Sequence, residues 1–267
     1  MSVPTATSPM TAPMPAIPTP STPAPTSPEA PSPSIPSYLP PICRTKMPGW
    51  LAYLWYEFMY WKTLTIATLC FSLRIAGRLN VPRHGPALLI ANHQSFLDPI
   101  VIGIASRRHL CFLARKTLFR NRIFGTLLSS LNTVPVDQEG VAKEGLKTIL
   151  EELKQGSAVL VFPEGQRSWD GKLQPLKPGI QLLIKRTKAP IIPVGVAGAH
   201  IALPRGKTRV KFSPFFLPAT DASVAVVIGK PMDAERFAHL PREEMMNTLL
   251  KELQKVHAAA DKLRRKW

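Results

Sequence analysis

Short unbroken apolar runs alternate along this chain with longer stretches of helical period. Residues 87–91 (Ala-Leu-Leu-Ile-Ala) form an apolar run of strand length, and 157–162, 191–196 and 224–228 are similar. Runs this short, bounded by polar turns, predict strands buried on both faces. Between them the period changes. Leu146, Ile149, Leu150 and Leu153 fall on one stripe of a helix over 140–153, and Gly156 punctuates its end. A second helix is predicted over 179–186. A final helix opens at Pro241-Arg242-Glu243-Glu244 and runs to Lys262-Leu263-Arg264-Arg265-Lys266, acids first and bases last as the helix dipole favours. Asp98-Pro99 predicts another helix start, with Asp98 as N-cap and Pro99 in the first helical position. Strands and helices in alternation predict an α/β fold with a central mixed sheet flanked by helices. No internal repeat is evident.

The amino-terminal third has a different character. Residues 1–41 hold 14 of the 29 prolines, a single acid, Glu29, and neither Lys nor Arg. Such a composition cannot bury enough apolar surface to offset its ordering entropy, so a disordered, Pro/Ser/Thr-rich tail is expected. It has neither the basic start of a secretion signal nor the arginines of a transit peptide. Residues 50–73 are strongly apolar, interrupted by Glu57 and Lys62, and six of the nine Trp and Tyr residues lie between 50 and 61. Indole and phenol rings have an apolar body and a polar tip, and settle where a bilayer meets water. The stretch has the length of one span, but two charges near its middle disfavour that. Helices lying in the interface are expected. The organisation read from these shifts is tail 1–41, membrane-associating helices 42–80 and an α/β domain 81–267.

Charge adds to this picture without deciding it. From Arg44 onward the chain carries 34 Lys and Arg against 16 Asp and Glu, a balance of +18. A basic protein suits nucleic acid or an anionic membrane. With no zinc spacing, RNA-binding aromatic signature or helix-turn-helix, nucleic acid is not expected as a partner, and the adjoining aromatic segment points to the membrane lipid surface. Arg205, Lys207, Arg209 and Lys211 alternate; in a strand they would form one basic face, suited to lipid headgroups or simply a solvated edge. Three separated cysteines, Cys43, Cys70 and Cys111, suggest reduced thiols and a site facing the cytoplasm. The histidines have no metal-ligand spacing, so no metal is expected, and His84, His109, His200, His239 and His257 read as surface or packing residues.

The candidate chemistry lies just after two of the apolar runs. His93 follows the first, and Asp98 lies where its carboxylate can fold back onto one ring nitrogen and leave the other free to take a proton. No Ser or Cys pairs with this imidazole as a nucleophile, so activation of a substrate hydroxyl is the expected use. After the second run, Pro163 and Gly165 shape a turn, with Arg167 and Ser168 as donors suited to a phosphate. A helix cap and an ordinary strand-end loop with a solvated Arg are the structural alternatives.

NHQSFLDP (92–99), LARKTLFRNRIFG (113–125), FPEGQRS (162–168), PLKPG (175–179) and APIIPVGVAG (189–198) stand in this order. Together they resemble the glycerolipid acyltransferases typified by 1-acylglycerol-3-phosphate acyltransferase, over about residues 48–230. The chain departs from the family pattern at Gln166, where Thr is usual, and in the run TVPVDQ (133–138), which ends in Gln138 where the family usually has an Arg. The resemblance implies transfer of a fatty acyl group from a coenzyme A or acyl carrier protein thioester to the 2-hydroxyl of the lysophospholipid 1-acylglycerol 3-phosphate, forming phosphatidic acid. It implies His93 and Asp98 as the catalytic pair. Gly165, Arg167, Ser168 and Lys116 would hold the acceptor phosphate, with Pro163 and Glu164 supporting the loop. No cofactor beyond the thioester co-substrate is expected. Glycerol 3-phosphate or a phosphate-free lyso-lipid such as lyso-ornithine lipid are alternative acceptors, and a catalytically silent lipid-binding scaffold is an alternative of another class.

Overall fold

The computed structural model describes residues 49–120, 125, 133–136 and 141–265. The Pro-rich tail, Cys43, residues 42–48, Gln138 and Lys266 lie outside the described residues.

Seven strands form one sheet: β1 (Arg74–Ala76), β2 (Ala87–Ala91), β3 (Leu110–Arg115), β4 (Thr133–Val136), β5 (Ala158–Val161), β6 (Ile191–Ala197) and β7 (Ala225–Ile228). Their order is β1-β7-β6-β2-β5-β3-β4. Every neighbouring pair is parallel except β6 and β7, which run antiparallel, so the sheet is mixed as expected. The helices are α1 (Gly49–Phe71), α2 (Asp98–Ser106), α3 (Val141–Lys154), α4 (Gly179–Arg186), α5 (Ala199–Ala202), α6 (Ala234–Ala238) and α7 (Arg242–Arg264).

The centre of the sheet explains its continuous apolar strands. Ala87, Leu89 and Ala91 of β2 join a core with α1 and α2, whereas Leu88 and Ile90 point to a second core built with α3, α4 and α7. All five are fully buried. With both faces covered, no position can be polar, and alternation disappears from the sequence. Each large aliphatic side chain buried this way contributes about 1.5–3 kcal/mol. α7 packs so tightly on β6 that a Cβ at Gly195 would lie 2.3 Å from the backbone of Val256. Glycine is there for proximity.

Three sequence expectations are corrected. The sheet takes β1 from within 42–80, so the α/β domain starts before residue 81. Residues 205–211 form no strand. Gly206, at φ +76°, turns the chain, with the Lys207 N–H donating to the Pro204 carbonyl. That turn breaks the alternation of the four cations. Finally, Asp98 is the first residue of α2 rather than its cap: Leu97 occupies the cap with no side-chain bond, and the Asp98 carboxylate turns back onto the preceding loop.

Within 42–80 the structure describes one α-helix, α1, whose aromatics divide between two faces. Trp50, Leu54, Phe58 and Trp61, at helical spacing, face outward, while Tyr60, Ala67 and Phe71 are buried against the domain. Tyr56 stacks on His109 and donates to the Arg108 carbonyl at 3.3 Å. Burial, reinforced by Arg108, pushes the His109 pKa down to about 4. No helix among the described residues is long and apolar enough to cross a membrane.

Candidate active site

β2 and β5 are hydrogen-bonded parallel neighbours, with Ile90 opposite Val161. Residues 92–99 and 162–168 therefore leave the sheet side by side at its carboxyl end, where open α/β sheets bind ligands. Asn92 extends β2 by one rung. Its side chain donates to the Val196 carbonyl at 3.0 Å and accepts from the Val196 N–H at 2.8 Å, as a peptide group would.

His93 comes next. Its Nδ1 lies 2.8 Å from Asp98 Oδ2, and the same oxygen accepts the N–H groups of Gln94 at 2.5 Å and Ser95 at 2.7 Å. Asp98 is fully buried, whereas the His93 side chain is 19% exposed. An Nδ1–H donated to the carboxylate leaves Nε2 as the basic nitrogen. Phe162 stacks on the imidazole at 4.0 Å between centroids with the ring planes 17° apart, which fixes the plane of the ring.

The second loop is fastened to the first through its backbone. The Ser168 N–H donates to the His93 carbonyl at 2.8 Å, and Ser168 Oγ accepts from the Gly171 N–H at 3.0 Å. Gly165, at φ +69°, closes the turn by donating to the Phe162 carbonyl at 3.1 Å. The amides of Gly165 and Ser168, both expected to hold phosphate, are thus engaged within the loop, and Ser168 is buried. Pro163 accepts from Lys177 N at 2.8 Å. Arg167 is half-buried, its guanidinium carbon 3.6 Å from the centre of the Phe96 ring. Lys116 opens a 3₁₀ turn, Lys116–Phe119, directly after β3; its side chain lies outside the description.

Glu164, only 1% exposed, joins the two loops: Oε1 accepts from His93 N at 2.9 Å and Oε2 from Gln174 N at 3.1 Å. Burial pushes its pKa up to about 7, with the Asp98 charge adding to the rise and the two N–H donors opposing it. A carboxyl raised in the folded state stabilises the fold most below its unfolded pKa of about 4.5, and that contribution disappears as pH rises to about 7. Glu164→Gln removes the titration and turns an amide N–H toward one of the backbone donors. The variant is expected to unfold at a lower temperature than the wild type throughout. Its deficit should shrink as pH rises from about 4.5 to about 7 in thermal unfolding series. A deficit constant across that window would mean Glu164 does not titrate there.

Several participants were not singled out in the sequence. Phe162 and Phe96 stood inside the quoted blocks without a role. Gln94 Nε2 reaches the Gly171 carbonyl at 2.6 Å and His257 Nε2 at 3.0 Å, and His200 Nδ1 lies 3.4 Å from Gln94 Oε1. His200 and His257 therefore pack behind the loop over residues 92–99, and burial lowers the pKa of each. Among the described residues, no cluster of His, Cys, Asp and Glu could hold a metal ion.

A buried carboxylate, an oriented imidazole and an arginine at the carboxyl end of a mixed α/β sheet define a site for activating a hydroxyl near an anion. Residues 72–197, just under half of the chain, match the acyltransferase family model. The protein is an enzyme of that type. A Bacillus subtilis protein named 1-acyl-sn-glycerol-3-phosphate acyltransferase is 27% identical over 210 residues, covering 78% of this chain and 98% of the relative. A chloroplastic protein of the same name from Brassica napus is 29% identical over 175 residues; the chain spans about half of its length, 48%. Among solved structures, the Thermotoga maritima 1-acyl-sn-glycerophosphate (LPA) acyltransferase, PlsC, superposes with a TM-score of 0.58 at 27% identity, covering 73% of each chain.

Proposed function

We propose that this protein transfers a fatty acyl group from a coenzyme A or acyl carrier protein thioester to the 2-hydroxyl of 1-acylglycerol 3-phosphate, forming phosphatidic acid. The observation that carries this reading is the His93–Asp98 pair held beside Arg167 by adjacent parallel strands. His93 Nε2 takes the hydroxyl proton as the substrate oxygen attacks the thioester carbonyl carbon. Asp98 stabilises the imidazolium that forms. Collapse of the tetrahedral intermediate breaks the C–S bond, and the departing thiolate takes the proton from His93. The guanidinium of Arg167 binds the acceptor phosphate, and Glu164, Pro163, Gly165 and Ser168 shape and fasten its loop. The names of the Bacillus, Brassica and Thermotoga relatives support this acceptor.

The test is an assay of purified protein in detergent with labelled acyl thioesters and a panel of 1-acylglycerol 3-phosphate, glycerol 3-phosphate and lyso-ornithine lipid. Wild type is expected to favour the first. Arg167→Ala should raise its KM about tenfold or more, the scale of a lost charge-assisted contact, while changing the thioester KM little. Arg167→Lys should recover only part, because an ammonium cannot reproduce the two-pronged grip. A KM increase confined to the thioester would assign the loop to the wrong substrate.

The partner surface in this reading is a lipid bilayer, with the active site on its cytoplasmic side. Two elements support it. The outward stripe of α1 adjoins an exposed loop, with Phe215 N donating to the Leu69 carbonyl at 3.0 Å and Ser213 N to the Cys70 carbonyl at 2.8 Å. That loop exposes Phe215, Phe216 and Leu217, and Lys207, Arg209 and Lys211 precede it. Apolar insertion with a cationic flank suits an anionic interface. Replacing Trp50, Phe58 and Trp61 together by Ser should release the protein from phosphatidylglycerol-containing vesicles in flotation assays. High salt should release wild type only in part, because apolar burial is not screened. Complete release by salt alone would make attachment purely electrostatic.

A further inference from the structure

Arg205 lies far from both signature loops in sequence, yet its segment is tied to each of them. Ser95 Oγ, in the His93 loop, donates to the Leu203 carbonyl at 2.8 Å. Two residues later, Arg205 Nη1 donates to the Arg167 carbonyl at 2.6 Å. The turn at Gly206 keeps Arg205 against the Arg167–Trp169 strip, with its guanidinium carbon 4.3 Å from the centre of the Trp169 ring. Arg167 lies over Phe96 in the same manner at 3.6 Å. Two guanidinium groups thus rest on two aromatic faces, on segments hydrogen-bonded to each other and to the His93 loop.

Trp169, 71% exposed, offers one ring face to the Arg205 guanidinium. Arg205 is half-buried and has no carboxylate within ion-pair reach among the described residues. Only one of its five N–H donors is engaged by the Arg167 carbonyl. The donors left over on Arg205 suit the oxygens of an anion, and two guanidinium groups on neighbouring segments both gain when an anion lies between them.

We propose that Arg205, stacked on Trp169, is a second cationic ligand of the acceptor phosphate, acting with Arg167. This rests on the reading of 1-acylglycerol 3-phosphate as acceptor. It turns a single arginine contact into a paired one and makes Arg205 a determinant of specificity for phosphate-bearing acceptors. A purely supporting role, in which Arg205 only props the Arg167 loop through its carbonyl, makes different predictions.

The experiment is steady-state kinetics of the full chain in detergent, varying 1-acylglycerol 3-phosphate at saturating acyl thioester, with inorganic phosphate as competing anion. Arg205→Gln loses the charge and two atoms of length but keeps a polar amide; Arg205→Ala loses the side chain beyond Cβ. Both variants are expected to raise the acceptor KM about tenfold, with kcat and the thioester KM nearly unchanged. Inhibition by phosphate should weaken in parallel. In an Arg167→Ala background, Arg205→Gln should raise the acceptor KM further, since each side chain touches the anion itself. Equal acceptor KM for Arg205→Gln and wild type would overturn the proposal while leaving the acceptor reading intact. So would an effect that disappears in the Arg167→Ala background. Absence of wild-type turnover with 1-acylglycerol 3-phosphate would overturn both. If Arg205→Ala fails to fold, as judged by circular dichroism, the glutamine variant decides alone.

Discussion

Replacing His93 with alanine is expected to lower turnover about 10²–10⁴-fold, the range of a lost general base. The fold should survive, because the ties that position this residue run through its backbone. Its N–H donates to Glu164 and its carbonyl accepts from Ser168, and both bonds persist in alanine. Asp98 keeps its two loop N–H donors as well. The check is kcat with a radiolabelled thioester beside a thermal unfolding curve, in protein free of host acyltransferase. Near-normal turnover would remove His93 from the mechanism.

Two substitutions at Asp98 separate charge from architecture. In Asp98→Asn the amide oxygen can occupy the place of Oδ2 and still accept from Gln94, Ser95 and the His93 ring. The loop should hold while the charge opposite the imidazolium is lost. Turnover is expected to fall on the order of 10²-fold or more, with the melting temperature close to wild type. Asp98→Ala instead strands two backbone N–H groups in a buried loop, each costing about 1–3 kcal/mol, so stability should fall together with activity. Equal melting temperatures for the two variants would show that the Asp98 carboxylate does not organise the loop.

The legible parts of this protein are those governed by short-range pattern. β2, β5, β6 and β7 were readable because burial on both faces enforces apolar runs. α3 was readable because one covered face enforces a stripe, and α7 because its Pro241 opening and acid-to-base gradient mark its two ends. β1 is too short, at three residues, to display a period. β4 has only four residues, one of them Pro135, so it displays no apolar run of its own, and it lies at the edge of the sheet, where a missing donor is tolerated. At the site, His93 and Asp98 were legible through local spacing. That the amides of Gly165 and Ser168 are taken up by the Phe162 and His93 carbonyls was not legible, because a sequence does not reveal which amides a turn consumes. Arg205 could not be found at all. Its place depends on a turn at Gly206 and on bonds to segments 38 and about 110 residues away, and its alternation with Lys207, Arg209 and Lys211 suggested a strand instead.

The pairing of Ile90 with Val161 also acts as a ruler. A strand advances about 3.3 Å per residue, so a slip of two positions, which preserves which side chains face each core, would displace one loop from the other by about 6.6 Å. That is more than enough to carry Arg167 away from any substrate whose hydroxyl sits at His93. The distance between His93 and Arg167 is therefore written into hydrogen-bond register in the middle of the sheet, at residues outside both loops. A mutation there could leave a folded, fully hydrophobic core and an enzyme whose two halves no longer address the same molecule.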